Sequence, residues 1–349
     1  MNIEQLRKDI DQHLYTLVDK FCAELIDIDP QLVQVAEALK DYLSQGKRLR
    51  SIFALIGYIG AGGQLEPKIY RAAVALEFLQ ACALIHDDLM DGSDTRRGKP
   101  SIHKQFEKLH SAQFGGSAAI LIGDLALSWN ERTLHESGIN QAEQIAVNPI
   151  HDVMRTELMA GQFLDVLEQT KSGAESFSIE RSLKIARYKS GKYSIERPLH
   201  FGAALAMASY PEKLSEYLTI YSEYGLPLGE AFQLRDDLLG IYGDPQETGK
   251  PAGDDLREGK RTALIAFAYE RGDQRVKSLL EQKLGTDLSQ SEIEELRNAI
   301  TESGAITHIE ELIQKLSQNA NDSIKRDELT QESKVLLREM VDQVIFRKR

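Results

Sequence analysis

Leu84-Ile85-His86-Asp87-Asp88-Leu89-Met90-Asp91 closes a long, mostly apolar stretch that begins at Lys68, and its reading decides the fold. Asp87 and Asp91 are four residues apart. On a helix their carboxylates share one face, about one turn apart, while Asp88 points aside. A solvated helix end is the bland alternative, and it fits poorly because the helix dipole opposes acids at a C-terminus. Something positive is expected beside them.

Working outward, the chain reads as helices joined by short polar turns. Leu6, Ile10, Leu14, Leu17, Val18 and Phe21 recur at helical spacing over residues 3–21. Further helices are predicted over 31–44, 49–60, 68–90, 111–136, 142–168, 178–189, 195–208 and 213–239, then over 262–272 and onward to the C-terminus. Pro245, Gly249, Pro251, Gly253 and Gly259 predict a loop over 242–260. No alternating pattern predicts a sheet of any size. With only nine prolines and stretches rich in Ala, Leu, Glu, Lys and Gln, the expectation is all-α: a single-domain helical bundle over 1–349, its motifs within about 46–262 and further helices over 263–349.

Hydrophobic residues make up 42% of the 349 and charged residues 28%, enough to bury a core. A net charge of −12 argues against a nucleic-acid coat, which needs a basic stripe. Cys22 and Cys82, the two cysteines, sit in apolar helical sequence and read as buried free thiols. The polar start over 1–10 does not read as a signal, and the apolar stretch 51–61 falls short of the ~20 residues that cross a bilayer. The expectation is a cytoplasmic protein with no stable membrane insertion.

A second acidic pair, Asp236-Asp237, ends another apolar run, with Gln233 one turn earlier and Gly240 where a third acid would complete the pattern. Bases cluster at Gly46-Lys47-Arg48-Leu49-Arg50, at Arg96-Arg97-Gly98-Lys99-Pro100, around Lys189-Ser190, and at Lys250 and Lys260. Each cluster alone reads as solvated surface. Together with concentrated carboxylates they fit an oligoanion, since magnesium is held by one or two carboxylates plus substrate phosphates while Arg and Lys grip the rest. No Gly-x-x-x-x-Gly-Lys-Ser/Thr loop is present. His86-Asp87 and His151-Asp152 leave open a second reading, an all-helical metal phosphohydrolase of the HD type.

These motifs, in this order, resemble the all-trans polyprenyl (isoprenyl) diphosphate synthases, and in particular those of geranylgeranyl type. The resemblance covers about 46–262 and includes Gly161-Gln162 with Asp165 and Phe232-Gln233. It implies an isoprenoid-synthase bundle around a central cavity, magnesium as cofactor (three ions once substrate is bound) and a homodimer. It implies that Asp87 and Asp91, supported by Asp88, hold metal on an allylic diphosphate, with Asp236 opposite and Asp237 nearby. Arg96, Lys189, Gln233, Lys250 and Lys260 would surround that diphosphate. Lys47, Arg50, Gln80 and Arg97 would bind isopentenyl diphosphate. Gln162 and Asp165 would stand behind the metal acids. Two departures are Gly240, on which no metal role is placed, and Ser190 where threonine is usual.

The implied chemistry is ionisation, condensation and elimination, with the Gln233 carbonyl and the Ser190 hydroxyl facing an allylic cation. Small residues at Cys82 and Ala83, one turn before Asp87, point to a deep tunnel and a product of geranylgeranyl length or longer. Against this stands simple helix packing, with Leu79 or Phe114 setting the floor. A non-catalytic subunit of a heteromeric synthase is the competing reading of a different class.

Overall fold

The computed structural model describes residues 1–171, 173–244 and 253–346. Helix α1 (Ile3–Ile28) starts where the Asn2 side chain accepts from the Gln5 amide at 2.8 Å, and it buries Leu6, Ile10, Leu14, Val18 and Phe21 along one stripe. A 3₁₀ turn over Pro30–Leu32 leads into α2 (Val33–Ser44), and α3 (Leu49–Gly60) is buried almost all round.

The apolar stretch that ends at the first acidic cluster is α4 (Pro67–Met90), with proline in its first turn, where a missing N–H costs nothing. It is long and apolar enough to cross a membrane by length and composition, yet 67% of its most apolar window is buried inside the protein. Phe78 of α4 meets Phe21 and Trp129, each at a ring separation of 5.9 Å. Burying each such side chain is worth roughly 1.5–3 kcal/mol, so the core fixes where α4 ends and hence where its acids stand.

A hairpin of two short antiparallel strands, β1 (Thr95–Arg96) and β2 (Lys99–Pro100), follows, with Thr95 opposite Pro100. It and α5 (Ile102–Leu109) were not anticipated from the pattern. Next come α6 (Ala112–His135), packed along α4, and α7 (Gln141–Gln169), whose start is a capping box between Asn140 and Glu143.

Where the sequence predicted a break between two helices, α8 (Ile179–Ala186) runs on through a π-helical segment (Arg187–Glu196) into α9 (Arg197–Ala206). Helix α10 (Pro211–Tyr242) packs on that segment. Within the stretch expected to be a loop, Asp254–Arg257 forms a single helical turn, α11. The chain closes with α12 (Ala263–Arg271), α13 (Gln274–Lys283), α14 (Gln290–Glu302), α15 (Ala305–Ser323) and α16 (Gln331–Ile345). These last helices brace the centre: α15 lies on α10, and the hydroxyls of Tyr221 and Tyr224 on α10 donate to the carbonyls of Gly57 (3.0 Å) and Leu337 (2.9 Å). The architecture is all-α, and its buried apolar cluster runs from Ile3 to Ile345.

Candidate active site

Helices α3, α4, α7, α8 and α10, the π-helical segment and the turns beside them line a cavity of about 410 Å³. Of the residues singled out in the sequence, Lys47, Arg50, Gln80, Asp87, Arg96, Arg97, Lys189, Ser190, Gln233, Asp236 and Lys260 line it. Asp87 from α4 and Asp236 from α10 therefore face one hollow. Lys250 falls within 245–252 and lies outside the described residues.

The positive charge demanded by acids at a helix C-terminus is supplied by side chains. Lys189 Nζ stands 3.1 Å from Asp87 Oδ1 and 2.6 Å from Asp165 Oδ2, and Gln162 Nε2 donates to Asp87 Oδ1 at 2.9 Å. The close approach needs Gly161, because a Cβ there would collide with the Lys189 backbone. Arg96 Nε donates to Asp88 Oδ1 at 2.8 Å, and its Nη2 lies 3.7 Å from Asp87 Oδ2. Asp88 is fully buried and turned aside, where it anchors Arg96.

Asp91 is reached differently. It faces a neighbouring recess with Asp94, Asp254, Arg257 and Glu258, and is joined to the main cavity through Lys260 Nζ at 3.1 Å. Lys260 also meets Glu258 at 2.6 Å and Asp255 at 3.5 Å. Burial works to raise the Asp87 pKa, but Lys189, Lys260 and Arg96 outweigh it and hold this carboxyl well below the usual range. Asp91 goes the other way: burial, aided by the Asp87 charge, exceeds the help from Lys260 and lifts its pKa. Its Oδ1 is buried without a hydrogen bond. A buried carboxylate paired with one ammonium and with an oxygen left unsatisfied is a group that a divalent cation would satisfy.

Among the described residues, no three acid, His or Cys side chains already converge as a metal cage. The donor set nevertheless fits magnesium: hard carboxylate oxygens on two facing helices, with room between them for ligand oxygens. On α10, Asp237 accepts from Gln233 Nε2 at 2.8 Å and from the Ala263 amide at 3.3 Å, and burial pushes it up to about 8.

The π-helical segment explains how so many groups reach one wall. Lys189, Ser190, Tyr193 and Ser194 all line the cavity, a set that the wider i→i+5 winding keeps on one face. Tyr193 donates its hydroxyl to Gln80 Oε1 at 2.9 Å and carries the Arg50 guanidinium over its ring at 4.1 Å. Arg50 Nη2 donates to Ser194 Oγ at 2.7 Å.

Several lining residues escaped sequence reasoning. Asp255 approaches Gly240 so closely that a Cβ at 240 would overlap its carboxylate, so an acid stands in space where the second acidic motif lacks one in sequence. Tyr193 comes four residues after Lys189, a spacing that was there to be used. Arg261 lines the cavity with its guanidinium over Phe177 at 4.7 Å and with Nε and Nη1 buried without a hydrogen bond.

Other expectations need correcting. Cys82 does not line the cavity: it is buried towards α6, its sulfur 3.8 Å from His86 Nδ1, and burial pushes its thiol up to about 12. Ala83 does line it, while Leu79 is fully buried in the core and Phe114 is exposed. His86 Nε2 lies 3.1 Å from the Ile120 carbonyl, and His151 packs edge-on to Phe201. Neither histidine lines the cavity, and among the described residues no His/Asp cluster forms a metal site for the phosphohydrolase reading.

The sequence model of the polyprenyl synthetase family matches residues 33–302. The geranylfarnesyl diphosphate synthase of Aeropyrum pernix is 29% identical over 338 residues, 95% of this chain and 99% of that protein. The geranylgeranyl diphosphate synthase of Methanosarcina mazei is 33% identical over 261 residues, 73% of each. Among solved structures, a Corynebacterium glutamicum geranylgeranyl pyrophosphate synthase complexed with isoprenyl diphosphate and magnesium superposes with a TM-score of 0.93 at 33% identity, covering 99% of this chain and 100% of that one. A match over most of the chain, with acids and bases gathered around one hollow, leads to one conclusion: the chain belongs to the polyprenyl synthetase family.

Proposed function

We propose that this enzyme condenses isopentenyl diphosphate with an allylic diphosphate to give a longer all-trans prenyl diphosphate of geranylgeranyl length or beyond. One observation carries the reading. Asp87 and Asp236, far apart in sequence, face the same cavity, and much of its remaining polar wall is cationic.

In this reading Arg96, Lys189, Gln233 and Lys260 receive the allylic diphosphate, and Lys250, between Gln233 and Lys260 in sequence, is assigned with them. Lys47, Arg50, Gln80 and Arg97 receive isopentenyl diphosphate. Magnesium, three ions with substrate bound, would be held by Asp87, Asp91 and Asp236 and would neutralise charge as the diphosphate departs. The allylic carbon–oxygen bond breaks with its electron pair leaving on the diphosphate, and Lys189 and Arg96 stabilise that developing charge. Gln233 spends its amide nitrogen on Asp237, which leaves its carbonyl oxygen to face the allylic cation beside the Ser190 hydroxyl. The isopentenyl double bond attacks, and the released diphosphate takes the proton that is lost.

We also infer one folding unit, which the continuous apolar core supports, working in the cytoplasm, a placement with which a long apolar helix mostly buried inside the protein is consistent. We further infer a homodimer through α6 and α7, which expose Ile120, Leu121, Val153, Met159 and Phe163. The deciding experiment incubates the isolated chain with magnesium, isopentenyl diphosphate and, in turn, dimethylallyl, geranyl and farnesyl diphosphates. A longer diphosphate is expected. Folded protein that gives none, or only hydrolysed starter, overturns the reading.

A further inference from the structure

Arg48 differs from the bases on either side of it. Its side chain is 3% exposed and its guanidinium is fully engaged by the protein. Nε donates to Asp11 Oδ1 at 2.7 Å, Nη1 to the Gln45 carbonyl at 2.8 Å, and Nη2 to the Leu43 carbonyl at 2.6 Å; Nη1 also lies 3.4 Å from Glu77 Oε2. Its backbone is left-handed, with φ 58°. Among the described residues one other non-glycine shares a positive φ, Arg97 at 54°. Arg97 Nη1 donates to that same Gln45 carbonyl at 3.0 Å and to the Tyr42 carbonyl at 3.2 Å.

Two strained arginines thus meet on one peptide oxygen. Between them Gly46 sits at φ 126°, where a Cβ would come within 3.1 Å of Arg48 Nη1 and 3.4 Å of Arg97 Nη2. Strained backbone persists only where the surroundings over-determine it, and it gathers where a site must be held ready. A planar fork that binds a carboxylate and two carbonyls at fixed angles is something arginine can do and lysine cannot.

We propose that Arg48 is the positioning residue of the isopentenyl diphosphate subsite, and that Asp11 on the N-terminal helix acts through it. The relay Asp11–Arg48–Gln45–Arg97 holds the turn so that Lys47, Arg50 and Arg97 converge. This rests on the assignment of those three residues to isopentenyl diphosphate in the proposed function. Asp11 does not line the cavity, so its influence on substrate must pass through Arg48.

The test measures KM for isopentenyl diphosphate and for farnesyl diphosphate, kcat and Tm in the unaltered enzyme, Arg48→Lys, Arg48→Gln and Asp11→Asn. Loss of a charged hydrogen bond predicts a KM for isopentenyl diphosphate raised roughly tenfold or more in both Arg48 variants, with farnesyl KM and saturated kcat within about twofold. Lysine is expected not to rescue. Asp11→Asn is expected to shift the same KM in the same direction by less. Equal rises in both KM values, rescue by lysine, or folded Asp11→Asn enzyme with unchanged KM would overturn the proposal. If the Arg48 variants do not fold, Asp11→Asn decides. An unaltered enzyme that makes no product refutes the functional reading instead.

Discussion

The carboxylate of Asp255 occupies the space where a side chain at Gly240 would begin. Asp255 in turn stands 3.5 Å from Lys260, the ammonium that joins the main cavity to Asp91. Glycine at 240 therefore leaves room for the loop acid in its present position. Gly240→Ala should drive Asp255 away from Lys260 and lower kcat/KM for the allylic substrate, on the order of tenfold for one misplaced charged partner. Gly240→Asp should not improve on it. Unaltered kcat/KM in Gly240→Ala would remove this account of the departure.

Gln162 donates to Asp87 at 2.9 Å on the oxygen that Lys189 also approaches. Partners that orient a metal-binding carboxylate typically carry ~10–100-fold in metal affinity. Gln162→Leu should raise the magnesium concentration for half-maximal rate by such a factor, with little change in the rate at saturating magnesium. A magnesium titration of initial rates checks this; superimposable curves would count against Asp87 as a ligand.

Much of this site was legible because helical spacing is a hard constraint. Asp87 sits on a long α-helix, where residue type and period fix a face, whereas Lys189, on the π-helical segment, was reached only through the order of the motifs. Helix phase also explains the failure at Cys82. Ala83 is four residues before Asp87 and shares its face, whereas Cys82 is four before His86 and turns with it towards α6. Arg48 was illegible for another reason: a buried charge whose carboxylate partner, Asp11, lies far off in sequence has the same local pattern as a solvated one; Asp255 was illegible because its approach to Gly240 across the fold leaves no local trace. The hairpin over 95–100 was too short to show any alternation, and the π-helical winding of 187–196 has no signature in period-3.6 reasoning.

Ala83 lines the cavity one turn before Asp87, and the proposed function places the growing hydrocarbon beside it. Filling that position with a ring shortens the space available. Ala83→Phe should shift the product distribution to shorter chains while starter consumption continues. Cys82→Phe should mainly destabilise, because overpacking a buried core site costs typically ~1–3 kcal/mol. Product analysis by chromatography checks both; an Ala83→Phe enzyme with an unchanged spectrum would place the floor elsewhere.

His151 and His200 are buried, and burial lowers each pKa from 6.5 to about 4. His200 sits between the Leu218 carbonyl at 2.9 Å from Nε2 and the Arg197 guanidinium at 3.1 Å from Nδ1, so a second proton would face a cation. His151 Nε2 is buried without a hydrogen bond. Above pH 7 both rings are neutral, folded or unfolded, and contribute nothing to pH dependence. As pH falls below 6.5 the unfolded chain takes protons that the folded chain refuses, so stability declines until about pH 4, where the folded rings protonate as well. At 1.36 kcal/mol per pH unit, each ring costs roughly 2 kcal/mol by pH 5. His151→Met, which leaves no polar atom unpaired, should therefore lose about 2 kcal/mol less than the unaltered protein between pH 7 and pH 5 in denaturant titrations. Parallel losses in the two proteins would mean that His151 is charged or solvated in the folded state, contrary to its place against Phe201.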